Sequence, residues 1–168
     1  MSRTATPPET VAIALGSNLG DRLANLRAAV AALQPFFAVT AASPIYETPA
    51  AYVTDQPAFL NAILLGTTTL EPLDLLHALK QAEATLGRIE SFRFGPRLID
   101  MDIVFYGDRQ LATPALTLPH PRMAEREFVL RPLADVAGGW RHPDSGVTIA
   151  AMLESLPDQT ACRLKESL

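Results

Sequence analysis

Hydrophobic and polar positions alternate along this chain with two different periods. Val11-Ala-Ile-Ala-Leu15 is a continuous apolar run that stops at Gly16-Ser-Asn-Leu-Gly20, which predicts a buried strand ending in a tight turn. Asp21 is then placed to cap a helix whose Leu23, Leu26, Val30 and Leu33 share one face. Phe36 to Ser43 and Ile45 to Thr48 read as extended, divided by Pro44, which cannot donate to a ladder. A loop rich in proline and polar residues runs from Thr48 to Pro57. Phe59 to Thr69 is a strand with Phe59, Asn61 and Ile63 on one face. Pro72 suits the first position of a helix that carries Leu75, Leu76, Leu79, Ala82 and Leu86 on one stripe and stops at Gly87. The stretch Gly95 to Tyr106 sets Asp100 and Asp102 in an apolar run that reads as a further strand, reached by a connection from Arg88 to Gly95 that is expected to be mobile. Beyond it come a turn at Tyr106–Arg109, a short extended piece and a helical turn after Leu116–Pro121. A helix over Phe128–Val136 has Pro132 near its start, and a last helix runs from a Thr148 cap through Leu156. The order β-α-β-β-α-β predicts an α+β fold: a ferredoxin-like antiparallel sheet covered by helices, three-layer α-β-α.

Composition fits one folded unit. With 168 residues, 48% hydrophobic and 19% charged, the chain can bury a core. The expected division is a flexible lead over residues 1–10, a single domain over 11–158 and a polar tail over 159–168. No apolar run approaches the ~18 residues of a membrane span, and the first ten residues lack the apolar centre of a secretory signal. A single cysteine, Cys162, cannot form an internal disulfide. A monomer in the cytoplasm, without membrane or nucleic-acid partners, is the expectation. The net charge of −4 points the same way, because nucleic-acid binders carry a basic footprint.

Charge distribution changes the picture more than its sum. Between Arg88 and Arg131 all seven positive charges are arginine, set among six acids. Arginine is the side chain suited to planar recognition of phosphate or carboxylate. Within that segment Asp100 and Asp102 fall on one face of the predicted strand, with Met101, Ile103 and Phe105 on the other. Two such acids repel unless a cation lies between them, and a hard divalent ion such as Mg²⁺ takes carboxylates together with substrate phosphates. An edge strand with a wet polar face has the same spacing, so alternation alone leaves both readings open.

Other chemistries lack their residues. His77, His120 and His142 are too scattered for a zinc site, and Ser17 sits in no G-x-S-x-G elbow. The glycine-rich turn at Gly16–Gly20 matches no nucleotide loop pattern. What remains is Arg93, Arg97, Asp100, Asp102, His120 and Arg126, which together suit phosphoryl transfer: carboxylates for metal and arginines for developing charge.

Four stretches also carry a family resemblance. Gly16-Ser-Asn-Leu-Gly-Asp-Arg22, Phe59-Leu-Asn61, Gly95-Pro-Arg-Leu-Ile-Asp-Met-Asp-Ile103 and Pro119-His-Pro-Arg-Met-Ala-Glu-Arg-Glu-Phe128 resemble, in order, the motifs of the 6-hydroxymethyl-7,8-dihydropterin pyrophosphokinases of folate synthesis. The resemblance spans about Val11 to Leu156. It implies transfer of pyrophosphate from ATP to the hydroxymethyl group of the pterin, with release of AMP. By that match Asp100 and Asp102 would hold two Mg²⁺ ions. Arg93, Arg97, Ile103, Thr117, His120 and Arg126 would bind ATP, and Arg88 and Arg93 would act from a closing loop. Thr48, Pro49, Phe59, Asn61 and Phe128 would bind the pterin, the two rings as a sandwich and Asn61 along its polar edge. The chain departs from the family at Phe94, where tryptophan is frequent, at Ala115, which can be arginine, and at Glu90, near a frequent second loop arginine. A ferredoxin-like regulatory module that binds a small ligand without turnover is the alternative reading. A single-stranded RNA binder fits the acidic balance less well.

Overall fold

The computed structural model describes residues 9–88, 92–157 and 159–168. Its elements are β1 (Val11–Ser17), α1 (Arg22–Leu33), β2 (Ala38–Ala42), β3 (Tyr46–Thr48), β4 (Phe59–Thr67), α2 (Pro72–Thr85) and β5 (Asp100–Tyr106). After them come β6 (Leu111–Ala112), β7 (Thr117–Leu118), a 3-10 turn over Met123–Glu125, α3 (Glu127–Ala137), α4 (Ile149–Glu154) and β8 (Cys162–Arg163).

β1 lies between β4 and β5, antiparallel to both. β2 and β3 follow one another along the far edge of β4. Pro44 separates them, yet the ladder is bridged: Ser43 N donates to Ile63 O at 2.9 Å, and the Ser43 hydroxyl accepts from Ile63 N at 2.8 Å. The sheet is the expected ferredoxin-like arrangement, with helices on both faces.

Helix α1 starts where Asp21 accepts a hydrogen bond from Ala24 N at 3.1 Å, and it buries Leu26, Ala29 and Leu33 at helical spacing. α2 starts at Pro72, whose missing N–H costs nothing there, and buries Leu75, Leu79 and Ala82. These side chains meet Ile13, Leu15, Leu64, Met101 and Ile103 in one core layer. Each full burial of a leucine stabilises the fold by roughly 2 kcal/mol. On the opposite face α3 and α4 bring Leu130, Leu133, Ile149 and Met152 against Ala12, Ile63 and Phe105. Pro132 lies inside α3 rather than near its start, because the helix begins at Glu127.

One expectation is corrected on β5. Phe105 does not share a face with Met101 and Ile103. Ala12 pairs with Phe105 and Ile13 with Ile103, so Val104 is an extra residue opposite β1. A bulge of this kind shifts the alternation by one. Phe105 consequently lies under α3 and α4, stacked on Trp140 with ring centroids 4.2 Å apart, and Tyr106 takes its place in the first layer.

The C-terminal residues add to the sheet. β8 pairs antiparallel with β3, and Leu164 and Leu168 pack against the α1/α2 layer. At the other end Glu9 accepts from Arg109 Nε at 2.9 Å and Thr10 O accepts from Gly107 N at 2.7 Å; residues 1–8 of the expected N-terminal lead lie outside the described residues. Among the described residues no helix is long and apolar enough to cross a membrane.

Gly66, which pairs with both Val11 and Val39, marks the tightest backbone approach in the sheet. A Cβ there would lie 2.4 Å from Ala38 O and 2.5 Å from Phe37 Cε1. Gly66→Ala is expected to destabilise the fold by roughly 3 kcal/mol in urea denaturation; an unchanged midpoint would contradict this packing.

Candidate active site

The chain reversals put the end of β1, the end of β3 and the starts of β4 and β5 at one end of the sheet, an edge made of strand termini. Gly16 pairs with Asn61 on one side and Asp100 on the other, and Thr48 pairs with Phe59. Over this edge lies a cavity of about 310 Å³. It is lined by Thr48, Pro49, Phe59, Asn61, Arg97, Asp100, Asp102, His120, Arg126 and Phe128. Ten of the residues singled out from the sequence therefore converge. Gly16 keeps the floor open, since a Cβ there would press on Asn61 Oδ1 at 3.3 Å and on the Phe59 ring at 3.6 Å.

Four other candidates lie outside the lining. Arg88 Nη1 donates to Asp100 Oδ1 at 3.0 Å and also pairs with the buried Glu83. Arg93 stacks over the ring of Phe94 at 4.8 Å. Ile103 is buried in the α1/α2 core layer, so a ligand on the carboxylate side can meet only its main chain. Thr117 is exposed on β7. The expected mobility of the connection from Arg88 to Gly95 falls partly on residues 89–91, outside the described residues.

The two acids are held differently. Asp100 is tied through Arg88 to Glu83, whose Oε1 accepts from Met101 N at 2.9 Å. Asp102 is half-buried, and the walls of the cavity crowd bulk water from its carboxylate. That burial, with the charge of Asp100 beside it, pushes its pKa up to about 7. Two carboxylates side by side, one of them resisting ionisation, are oxygen donors that fit a hard divalent cation, which would relieve both effects.

His120 hangs on the bulge. The Val104 carbonyl, left out of register with β1, accepts from His120 N at 2.8 Å. Its Nδ1 accepts from Arg122 N at 3.2 Å, so the neutral ring carries its proton on Nε2. Burial, followed by the charge of Arg126, lowers its pKa to about 4. The imidazole is an uncharged donor at neutral pH.

Several residues that sequence reasoning passed over bind the rim together. Asn18 Nδ2 donates to Gln56 Oε1 and Pro57 O, both at 3.0 Å, while its Oδ1 accepts from Arg97 N at 2.8 Å. Gln56 Nε2 in turn donates to Phe94 O at 2.7 Å. Tyr52 stacks on Phe94 at 4.3 Å, with the Arg122 guanidinium 4.4 Å from its ring. Both Tyr52 (φ 67°) and Phe94 (φ 60°) occupy the left-handed region. Asn18 was visible as a turn residue; nothing in the sequence signals the Tyr52 conformation. Inside the cavity Asn61 Nδ2 donates to Thr48 Oγ1 at 2.6 Å.

Fold and cavity together define an α+β protein with two carboxylates and two arginines lining one cavity. The chain belongs to the 7,8-dihydro-6-hydroxymethylpterin-pyrophosphokinase family, whose model matches residues 12–138. A Pseudomonas aeruginosa protein named 2-amino-4-hydroxy-6-hydroxymethyldihydropteridine pyrophosphokinase is 40% identical over 93% of this chain and 97% of its own length. A mitochondrial folate synthesis bifunctional protein from Pisum sativum is 48% identical over 79% of this chain but only 26% of its own. The chain thus spans about a quarter of the length of that bifunctional relative. A Plasmodium falciparum HPPK-DHPS crystal structure superposes with TM-score 0.70 at 14% identity, covering 90% of this chain and 45% of that one, and it shares the fold.

The raised pKa of Asp102 has a definite sign. The folded chain keeps its proton up to about pH 7, whereas the unfolded chain releases it near the ordinary value of 3.8, so stability from this group is lost as pH rises through 7. Without divalent cations, Asp102→Asn is expected to melt several degrees above the parent at pH 8, with the gap closing toward pH 4. Equal gaps at both pH values would refute this assignment.

Proposed function

We propose that this chain transfers the β,γ-pyrophosphoryl group of ATP to the hydroxymethyl oxygen of 6-hydroxymethyl-7,8-dihydropterin. The observation that carries the reading is the convergence of paired acids, arginines, a neutral histidine and two phenyl rings on one cavity. The hydroxymethyl oxygen attacks the β-phosphorus as the bond from that phosphorus to the α,β-bridging oxygen breaks; the hydroxyl proton passes to water and AMP departs. The protein's part is to position two substrates and to neutralise charge.

Phe59 and Phe128 take the flat pterin between them, and Asn61 with the Thr48-Pro49 main chain reads its polar edge. Asn61 spends one N–H on Thr48, which fixes its amide plane and keeps its Oδ1 available as an acceptor. Arg97, Arg126 and the Nε2–H of His120 hold the triphosphate, with further contacts from Thr117 and the Ile103 main chain. Asp100 and Asp102 would hold two Mg²⁺ ions, which would supply charge neutralisation at the phosphates. Arg88 steadies Asp100, and Arg93 is the second arginine of the connecting loop. We place the protein in the cytoplasm as a monomer that engages neither nucleic acid nor membrane. A regulatory module without turnover would have no use for the paired acids.

Mixing the chain with ATP, Mg²⁺ and the hydroxymethyl-dihydropterin is expected to release AMP only when all three are present. Folded protein that forms no pterin-dependent AMP would reject the reading. Phe59→Ala is expected to raise the pterin KM by roughly tenfold or more while leaving the ATP KM within about twofold; a matched rise in both would remove Phe59 from the pterin side.

A further inference from the structure

The C-terminal residues touch neither substrate side of the cavity, yet they close a triangle around the pterin side. Its first edge joins β3 to α3: the Tyr46 hydroxyl donates to Asp135 Oδ2 at 2.5 Å. Its second joins the tail to β3, through the β8 ladder and through Leu164 N, which donates to Ile45 O at 2.8 Å. Its third joins the tail to α3. Glu127, the first residue of that helix, accepts through Oε1 from both Thr160 N and Ala161 N at 2.7 Å. A carboxylate at this position also faces the positive end of the helix. Two more contacts keep the tail in place: Gln159 Nε2 donates to Leu153 O at 3.1 Å, and Arg27 Nη2 donates to Ser167 O at 3.0 Å.

What the triangle encloses gives it meaning. β3 ends in Thr48, and α3 opens with Arg126 as its cap and Phe128 in its first turn. Arg126 and Phe128 line the cavity, and Glu127 between them reaches the tail. β3 is only three residues long; without β8 it would be the sheet's free edge, held along one side alone. The ATP-side residues Asp100 and Asp102 hang on β5, at the opposite edge of the sheet.

The geometry points to Glu127 as a positioning residue that uses the C-terminal segment 159–168 as a brace, holding Phe128 and Thr48 in place on one cavity and so setting the affinity of the pterin side far more than that of the ATP side, which it reaches only through the Arg126 cap. This rests on the function proposed above. Glu127 touches no substrate. Its effect passes through the neighbouring residues of its own helix turn and through β3.

In the full chain, Glu127→Ala removes the acceptor of two main-chain N–H groups. It is expected to raise the pterin KM about tenfold, while the ATP KM and kcat stay within about threefold. Glu127→Gln keeps the Oε1 acceptor and is expected to restore the pterin KM to within about twofold of the parent. Leu164→Pro deletes the N–H that reaches Ile45 and is expected to give the same selective loss from the other end of the brace. Equal rises in both KM values, no change in either, or a Gln variant as impaired as the Ala variant would overturn the inference. Should the parent chain release no AMP, the proposed function fails. The brace is then decided by hydrogen exchange at Tyr46–Thr48, which Glu127→Ala must accelerate and Glu127→Gln must not. Should Glu127→Ala not fold, the Leu164→Pro and Glu127→Gln measurements decide.

Discussion

Placing Asp102 beside Asp100 within a partly enclosed cavity costs free energy, and much of the surrounding structure can be understood as containing that cost. Glu83, nearly fully buried at 3% exposure, adds a further negative charge that helps to raise the Asp102 pKa, and Lys80, Arg88 and the Met101 amide all engage it. Arg88 spans Glu83 and Asp100 and so neutralises the wall of the site from behind. Among the described residues Asp102 has no such ion-pair partner, and it is the acid whose ionisation the site resists. A site tuned this way is short of positive charge at one point, which gives a cation a reason to bind there.

The rim solves a different problem. Three loops from distant parts of the chain must share one cavity, and loops by themselves are poorly ordered. Asn18 engages the 56–57 segment and the Arg97 main chain at once, with every polar atom of its side chain used. Gln56 extends the network to Phe94. Buried amides satisfied in this way specify one arrangement, because any other leaves donors unpaired.

The sequence revealed most of the secondary structure and much of the site for a simple reason: both lie in local patterns. Apolar spacing located α1 and α2, and the strand alternation correctly put Phe59, Asn61 and Ile63 on a common face. Asp100 and Asp102 do face the cavity together. The reading failed where alternation is interrupted, as at Val104, since a bulge has no signature in an unbroken apolar run. It also passed over residues whose role depends on distant partners. Nothing in the local pattern sets Glu83 apart from other helix acids, or Glu127 from its charged neighbours. The tail read as polar because its two anchoring leucines, Leu164 and Leu168, are isolated in sequence, although both pack on the core.

The bulge at Val104 separates two demands that an uninterrupted strand would force into conflict. Before it, every second side chain of β5 serves the cavity; after it, the same face of the sheet needs Phe105 to meet Trp140. With strict alternation one residue would have to yield, either an acid turned into the α1/α2 layer or an aromatic ring turned away from α3 and α4. The extra residue lets the catalytic edge and the structural end of one strand vary independently, and the carbonyl it leaves over is the one that holds His120.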